Sequence, residues 1–155
     1  MSPAASARWS PEHWTWHDGE VDPAGAAIVD LDGVLSDAAS RQHYLEAPRR
    51  NWDAFFEACG DDPVIEEVKV LLDPHLQIVL LTARPERVHH LTEAWLHRYQ
   101  IRWDLLVMRP WGDYDYARDF KQASVWDLRR YGFELRLAIE DDRRNVEMFR
   151  AEGIP

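Results

Sequence analysis

The chain has 155 residues, 46% apolar and 30% charged, a length and balance suited to one soluble globular domain with its own core. No apolar run is long enough to span a bilayer, and the opening MSPAASARWSPEHW lacks the apolar centre of a signal peptide, so a cytoplasmic protein with no membrane partner is expected. The formal charge of −10 argues against broad nonspecific binding to DNA, although twelve of the sixteen arginines fall in residues 82–155, where thirteen basic and thirteen acidic groups balance.

Residues 1–24, rich in Trp, Pro and His without a period, read as an N-terminal extension to a domain over 25–155. Trp9, Trp14 and Trp16 are expected either to pack onto that domain or to be partly disordered. The run AAIVDL (26–31) is short, apolar and ends in acid, which suits a buried strand. Cys59, the lone cysteine, excludes an intramolecular disulfide and a cysteine-based zinc site, and in FFEACG it reads as a small buried helical residue. Residues 64–72 place Val64, Ile65, Val68, Leu71 and Leu72 on one face of a helix.

QIVLL (77–81) is a second strand, followed by a helix over 86–98 with Val88, Leu91 and Trp95 inward and Pro85 just before it. Adjacent His89 and His90 point in different directions on that helix, so they read as surface rather than as a metal pair. DLLVM (104–108) is a third strand, with a helix over 119–131 beyond it. LRLAIE (135–140), more alternating, is a fourth strand nearer an edge. The last helix spans 143–152, with Val146 and Phe149 inward and Gly153 as its stop. Strands alternating with helices imply a Rossmann-like α/β fold, a single parallel sheet flanked by helices, whose ligands bind beyond the carboxyl ends of the strands.

The polar residues gather at those ends. The first strand runs into Asp30-Leu31-Asp32-Gly33, two carboxylates beside a glycine that allows a sharp turn. The second ends in Thr82-Ala83-Arg84, where Thr82 offers a hydroxyl to a ligand or a cap to the next helix. The fourth ends in Glu140-Asp141-Asp142; one aspartate suits an N-cap, but two beside another acidic strand end call for a cation, and oxygen ligands favour magnesium over zinc. Lys121 follows the third strand and can bring positive charge to a phosphate there.

The order and spacing of VDLDGVL, LLTAR, Lys121 and IEDD resemble the haloacid dehalogenase superfamily over residues 26–153. That resemblance implies a phosphatase with Asp30 as the nucleophile that forms an acyl phosphate and Asp32 as the acid and then the base. It implies Mg2+ held by Asp30, the backbone carbonyl of Asp32 and an aspartate of the last motif, with Asp141 as the direct ligand and Asp142 bound through water or orienting Lys121. Thr82 and Lys121 would hold the phosphoryl oxygens.

Neither residues 33–62 nor the loop MRPWGDYDYARDF leaves room for a large cap domain, and an open site accepts the end of a macromolecule. Asp30 to Leu35, Arg41, Thr82-Ala83-Arg84, Lys121 and the segment Ala138 to Arg150 are similar to the 3′-phosphatase domain of phage polynucleotide kinase-phosphatase. The resemblance implies that Gly33 and Ala83, with Arg41 and Arg84 as guanidinium forks near the phosphate, face a phosphorylated nucleic-acid end or a nucleotide. Trp111 and Tyr114 could stack on a base or pack locally. No G-x-x-x-x-G-K-[ST] occurs, so the kinase module is absent, and the position four before the lysine is Ala117 where relatives carry aspartate. Two other readings stay open: a small-metabolite phosphatase of 5′-nucleotidase or sugar-phosphatase type, and a noncatalytic binding module. The oligomeric state is not encoded in any of these motifs.

Overall fold

The computed structural model describes residues 8–46 and 48–155. Five strands form one sheet: β1 (Trp14–Trp16), β2 (Gly25–Val29), β3 (Gln77–Pro85), β4 (Leu105–Arg109) and β5 (Glu134–Ile139), in the spatial order β1-β4-β3-β2-β5. The pairs β2–β3, β3–β4 and β2–β5 are parallel, as the alternation of strands and helices requires. β1 is the exception: it lies antiparallel on β4, with Thr15 opposite Leu106. The sheet is therefore mixed rather than wholly parallel. β5 sits at the other edge, in keeping with its alternation.

Alternate side chains on each strand feed two separate cores. Ala26 and Ile28, Val79 and Leu81, and Leu105 and Val107 pack toward α5 (Ala117–Tyr131) and α6 (Arg143–Ala151), meeting Phe120, Leu128 and Phe149. Ala27 and Val29, Ile78 and Leu80, and Leu106 and Met108 face the opposite way, against α4 (His89–Arg98) through Trp95 and Leu96. This explains why β2, β3 and β4 read as continuous apolar runs: both faces are covered. Each such aliphatic chain contributes ~1.5–3 kcal/mol by leaving water, so the strand ends that carry the polar residues rest on a stiff frame.

The N-terminal tryptophans divide. Trp14 is buried and makes an edge contact with Tyr131, centroids 5.6 Å apart, whereas Trp9 stays 54% exposed beneath Arg130. The helix expected over 64–72 shortens to one turn, α3 (Glu66–Lys69). Val64 is held in a bridge to Ser36 instead, and Leu71, expected inward, is exposed. The helix after β3 starts later than its periodicity suggests, because β3 continues through Pro85 and a 3-10 turn (Glu86–Val88) intervenes. Between β2 and α3 the described residues form two short helices, α1 (His43–Glu46) and α2 (Trp52–Glu57), and two 3-10 turns, Ala39–Arg41 and Ala58–Asp61, the second holding buried Cys59, so no large cap among them covers the strand ends. No helix among the described residues is long and apolar enough to cross a membrane.

Candidate active site

β2 lies between β3 and β5, so the chain leaving it enters the gap where the connections change direction along the sheet. In parallel sheets that gap binds the ligand. Asp30 is the first residue past β2, and its N–H donates to the carbonyl of Ile139 at the end of β5 (3.1 Å). Its Oδ1 accepts the N–H of Leu31 at 2.8 Å and pairs with Lys121 Nζ at 3.1 Å. Lys121, on the second turn of α5, is fully buried, and its Nζ also donates to Glu140 Oε2 at 2.7 Å. An ammonium so buried needs such partners. Burial lowers the Lys121 pKa, but Asp30 and Glu140 outweigh it and keep the side chain charged.

One ammonium faces more than one carboxylate. Asp30, Glu140 and Asp141 each bring an oxygen within 4.8 Å of the others. Glu140 takes the share of Lys121: burial pushes it up, and the ammonium outweighs that and leaves it below its ordinary range. Asp30 is left as the surplus charge, and burial, only partly offset by Lys121, pushes it up to about 8. Burial and then Glu140 raise Asp141 as well. Hard carboxylate oxygens with unbalanced negative charge are the donor set of a magnesium-type cation. Gly33 fits the same picture. Its φ is +81°, and a Cβ there would fall 2.1 Å from Asp141 Oδ2, so only glycine lets the β2 loop lie against that carboxylate.

Asp32 stands in the opposite environment. Its Oδ1 accepts three N–H groups: Arg41 Nη2 at 2.7 Å, Arg84 Nη2 at 2.7 Å and Arg84 Nε at 3.0 Å. Burial pushes this carboxyl up, but Arg84 and then Arg41 outweigh it and hold it below the usual range. Arg41 and Arg84 do not reach outward as phosphate forks. Both are fully buried, and their remaining N–H groups go to Asp62, Ser36, Thr92 and the carbonyl of Phe55. Both arginines stand beside Asp32, with their guanidiniums turned into the protein rather than toward a substrate.

Thr82 is buried where β3 loses register with β4, between Leu81 and Pro85, an irregularity that re-aims side chains at a sheet end. Its Oγ1 accepts the N–H of Arg84 at 3.1 Å and caps no helix. Ala83 borders a cleft of about 820 Å3. Of the two roles expected of Asp142, binding a metal through water or orienting Lys121, the second falls to another residue. Asp142 is the N-cap of α6, accepting the N–H of Arg144 at 2.9 Å, and it pairs with the Arg144 guanidinium at 3.2 Å. The contact that orients Lys121 comes from Glu140. The helix starting at Arg143 needs its cap from the residue just before it, which uses up Asp142.

The structure thus brings Asp30, Lys121, Glu140, Asp141 and Gly33 together on one side and Asp32, Arg41 and Arg84 on the other. It adds Asp62 and Ser36, which lie outside the motifs, and gives Glu140 of the IEDD motif a partner in Lys121. Residues 24–155 match the family described as the phosphatase domain of the polynucleotide kinase PNKP. The chain belongs to this haloacid dehalogenase-type family of phosphate-ester hydrolases. A chain in a solved structure of the Pnkp1/Rnl/Hen1 RNA repair complex is similar, with a TM-score of 0.71 and 26% identity over 89% of this chain and 42% of its own length. A second structure of the Pnkp1/Rnl/Hen1 complex gives a TM-score of 0.70 and 26% identity, covering 89% and 45%. The present chain therefore spans less than half the length of these relatives. No curated protein matches significantly.

Proposed function

We propose that this protein is a magnesium-dependent phosphomonoesterase that removes 3′-phosphate from nucleic-acid ends through an aspartyl phosphate on Asp30. The observation that carries the reading is the opposed setting of Asp30 and Asp32, two residues apart on one loop. A nucleophile and a proton carrier are both needed, and the surroundings separate the two roles.

Asp30 Oδ1 is occupied by Leu31 and Lys121, which leaves Oδ2 to attack phosphorus. As that O–P bond forms, the bond from phosphorus to the sugar oxygen breaks, and Asp32 delivers its proton to the departing oxygen. Asp32, ionised again, then takes a proton from the water that attacks the acyl phosphate. At rest the two arginines keep Asp32 charged; the arriving phosphate, a like charge, raises its proton affinity toward that of a general acid. Lys121 and Thr82 hold the equatorial oxygens as charge shifts among them. Mg2+ on Asp30 and Asp141, with the backbone carbonyl of Asp32 added from the resemblance, would screen the carboxylates from the anionic substrate.

The nucleic-acid substrate rests on the family and on the cleft beside Ala83. Its walls include Arg50, Arg87, Arg109 and Arg118 beside Asp53, Asp113, Asp115 and Asp142, with Arg87 paired to Asp53, and the exposed rings of Trp52, Tyr114 and Tyr116. Cationic groups interleaved with aromatic faces suit a single strand, whose phosphates and bases they contact in turn. A cytoplasmic setting and a role in end repair go with that substrate.

The test is phosphate release from a 3′-phosphorylated oligonucleotide, with magnesium and with EDTA, for wild type and Asp30→Asn. Magnesium-dependent release that vanishes in the variant supports the reading. Hydrolysis of free nucleotides or sugar phosphates with the oligonucleotide untouched would replace the substrate and leave the chemistry.

A further inference from the structure

Asp62 takes no part in the chemistry above, yet it is one of the most enclosed charges in the molecule, 1% exposed and thirty residues from Asp32. Its Oδ1 accepts Arg41 Nε at 2.8 Å, and its Oδ2 accepts Arg41 Nη2 at 2.6 Å and the Ser36 hydroxyl at 2.5 Å. The same hydroxyl accepts Arg84 Nη2 at 3.1 Å, and Arg84 Nη2 lies 3.7 Å from Asp62 Oδ2. One carboxylate thus grips one arginine directly by a two-point fork and the other through a serine.

The backbone around Asp62 is itself fixed. Its carbonyl accepts Nε1 of buried Trp95 on α4 at 2.7 Å. The N–H of Asp37 donates to the Pro63 carbonyl at 2.9 Å and that of Ile65 to the Leu35 carbonyl at 2.7 Å. This segment is therefore stitched alongside the loop that carries Asp32.

We infer that Asp62 is a positioning residue for the proton-transfer step: through Arg41, Ser36 and Arg84 it fixes the Asp32 carboxylate by Oδ1 and turns Oδ2 to the leaving oxygen. The inference rests on the reading of Asp32 as acid and base. All three guanidinium bonds fall on the one oxygen, which leaves the other out of the network. A bidentate fork defines the plane of a guanidinium as well as its place, which a single charge would not do. Without Asp62, Arg41 keeps its attraction to Asp32 but loses its fixed plane, and Asp32 can rotate with it.

A role in proton delivery and a merely structural role separate by leaving group. A sugar alkoxide needs a proton as it departs, whereas p-nitrophenolate does not. The experiment is first-turnover release of the alcohol from a 3′-phosphorylated dinucleotide and of p-nitrophenolate from p-nitrophenyl phosphate, with magnesium, for wild type and Asp62→Asn. Since a general acid is worth about 10²–10⁴-fold, release of the sugar alcohol is expected to slow by about 30-fold or more while p-nitrophenolate release stays within about threefold. Equal losses on both substrates, or no loss on either, overturn the inference. If Asp62→Asn does not fold, Ser36→Ala, which removes only the relay to Arg84, is expected to slow the sugar substrate several-fold and spare the aryl one; no difference between the substrates overturns it again. If wild type releases neither product, the phosphatase reading falls first and this inference with it.

Discussion

Asp30 and Asp32 carry the same carboxyl group and leave the same strand, yet the fold treats them as opposites. Around Asp30, one buried ammonium serves more than one carboxylate, and burial pushes its pKa up to about 8. Around Asp32, two guanidiniums converge on one oxygen and hold the carboxyl low despite burial. The first region is short of positive charge, and a cation would complete it; the second has its charges already matched. Leu31 alone separates the two carboxyls along the chain.

The difference is expected to break most severely at Asp30. Asp30→Asn is expected to lower kcat by more than about 10⁴-fold, as loss of a covalent nucleophile does. Because that carboxylate is the surplus one, the variant is expected to melt no lower than wild type at pH 8 without magnesium, by calorimetry or circular dichroism. Asp32→Asn is the counterpart. It is expected to lower kcat by about 10²–10⁴-fold and, unlike the first, to destabilise, by on the order of 3 kcal/mol, since it leaves two buried guanidiniums to share the single carboxylate of Asp62. Equal melting temperatures for the two variants would erase the distinction between the regions.

Much of this was legible in the chain. The apolar runs of β2, β3 and β4 carry the strand signal because both faces of the sheet are covered, and the acid at their ends stands where a parallel sheet binds ligands. Lys121 could be named from its spacing. What the sequence concealed is direction. Arg41 and Arg84 stand in loops, where no period tells which way a guanidinium turns, and both turn inward. Among Glu140, Asp141 and Asp142, three acids in a row, only the geometry assigns the first to Lys121, the second to the Asp30 side and the third to capping α6. Asp62 belongs to no local motif, and its partners come from residues 36, 41 and 84. β1 escaped because three residues are too few for a pattern and its partner lies ninety residues away.

A gentler probe is Gly33→Ala. The substitution forces a left-handed backbone on a residue with a Cβ and drives that atom into Asp141, at a cost of roughly 1–3 kcal/mol. It is expected to raise the magnesium concentration needed for half-maximal rate, because the strain falls on the Asp30 side; a shift in substrate KM alone would place Gly33 elsewhere.

The pH dependence of wild type changes no side chain, and here the two carboxylates have opposite signs. Asp30, raised in the fold, holds a proton that the unfolded chain has lost, so its contribution to metal-free stability declines as pH rises from about 4 to about 8. Asp32, lowered in the fold, contributes above the unfolded carboxylate range and loses that contribution as pH falls below about 4. Magnesium is expected to flatten the first slope and leave the second, which melting curves across pH with and without the ion would show.

The most direct measurement is chemical trapping of the acyl phosphate. Asp32→Asn is mixed with p-nitrophenyl phosphate and magnesium, quenched, reduced with borohydride and digested for mass spectrometry. The aryl group leaves without a proton, but no base remains to activate water, so the account predicts that the intermediate accumulates and that position 30 is recovered as homoserine. Reduction at another residue, or no covalent adduct while p-nitrophenolate is still released, would contradict the division of labour between Asp30 and Asp32.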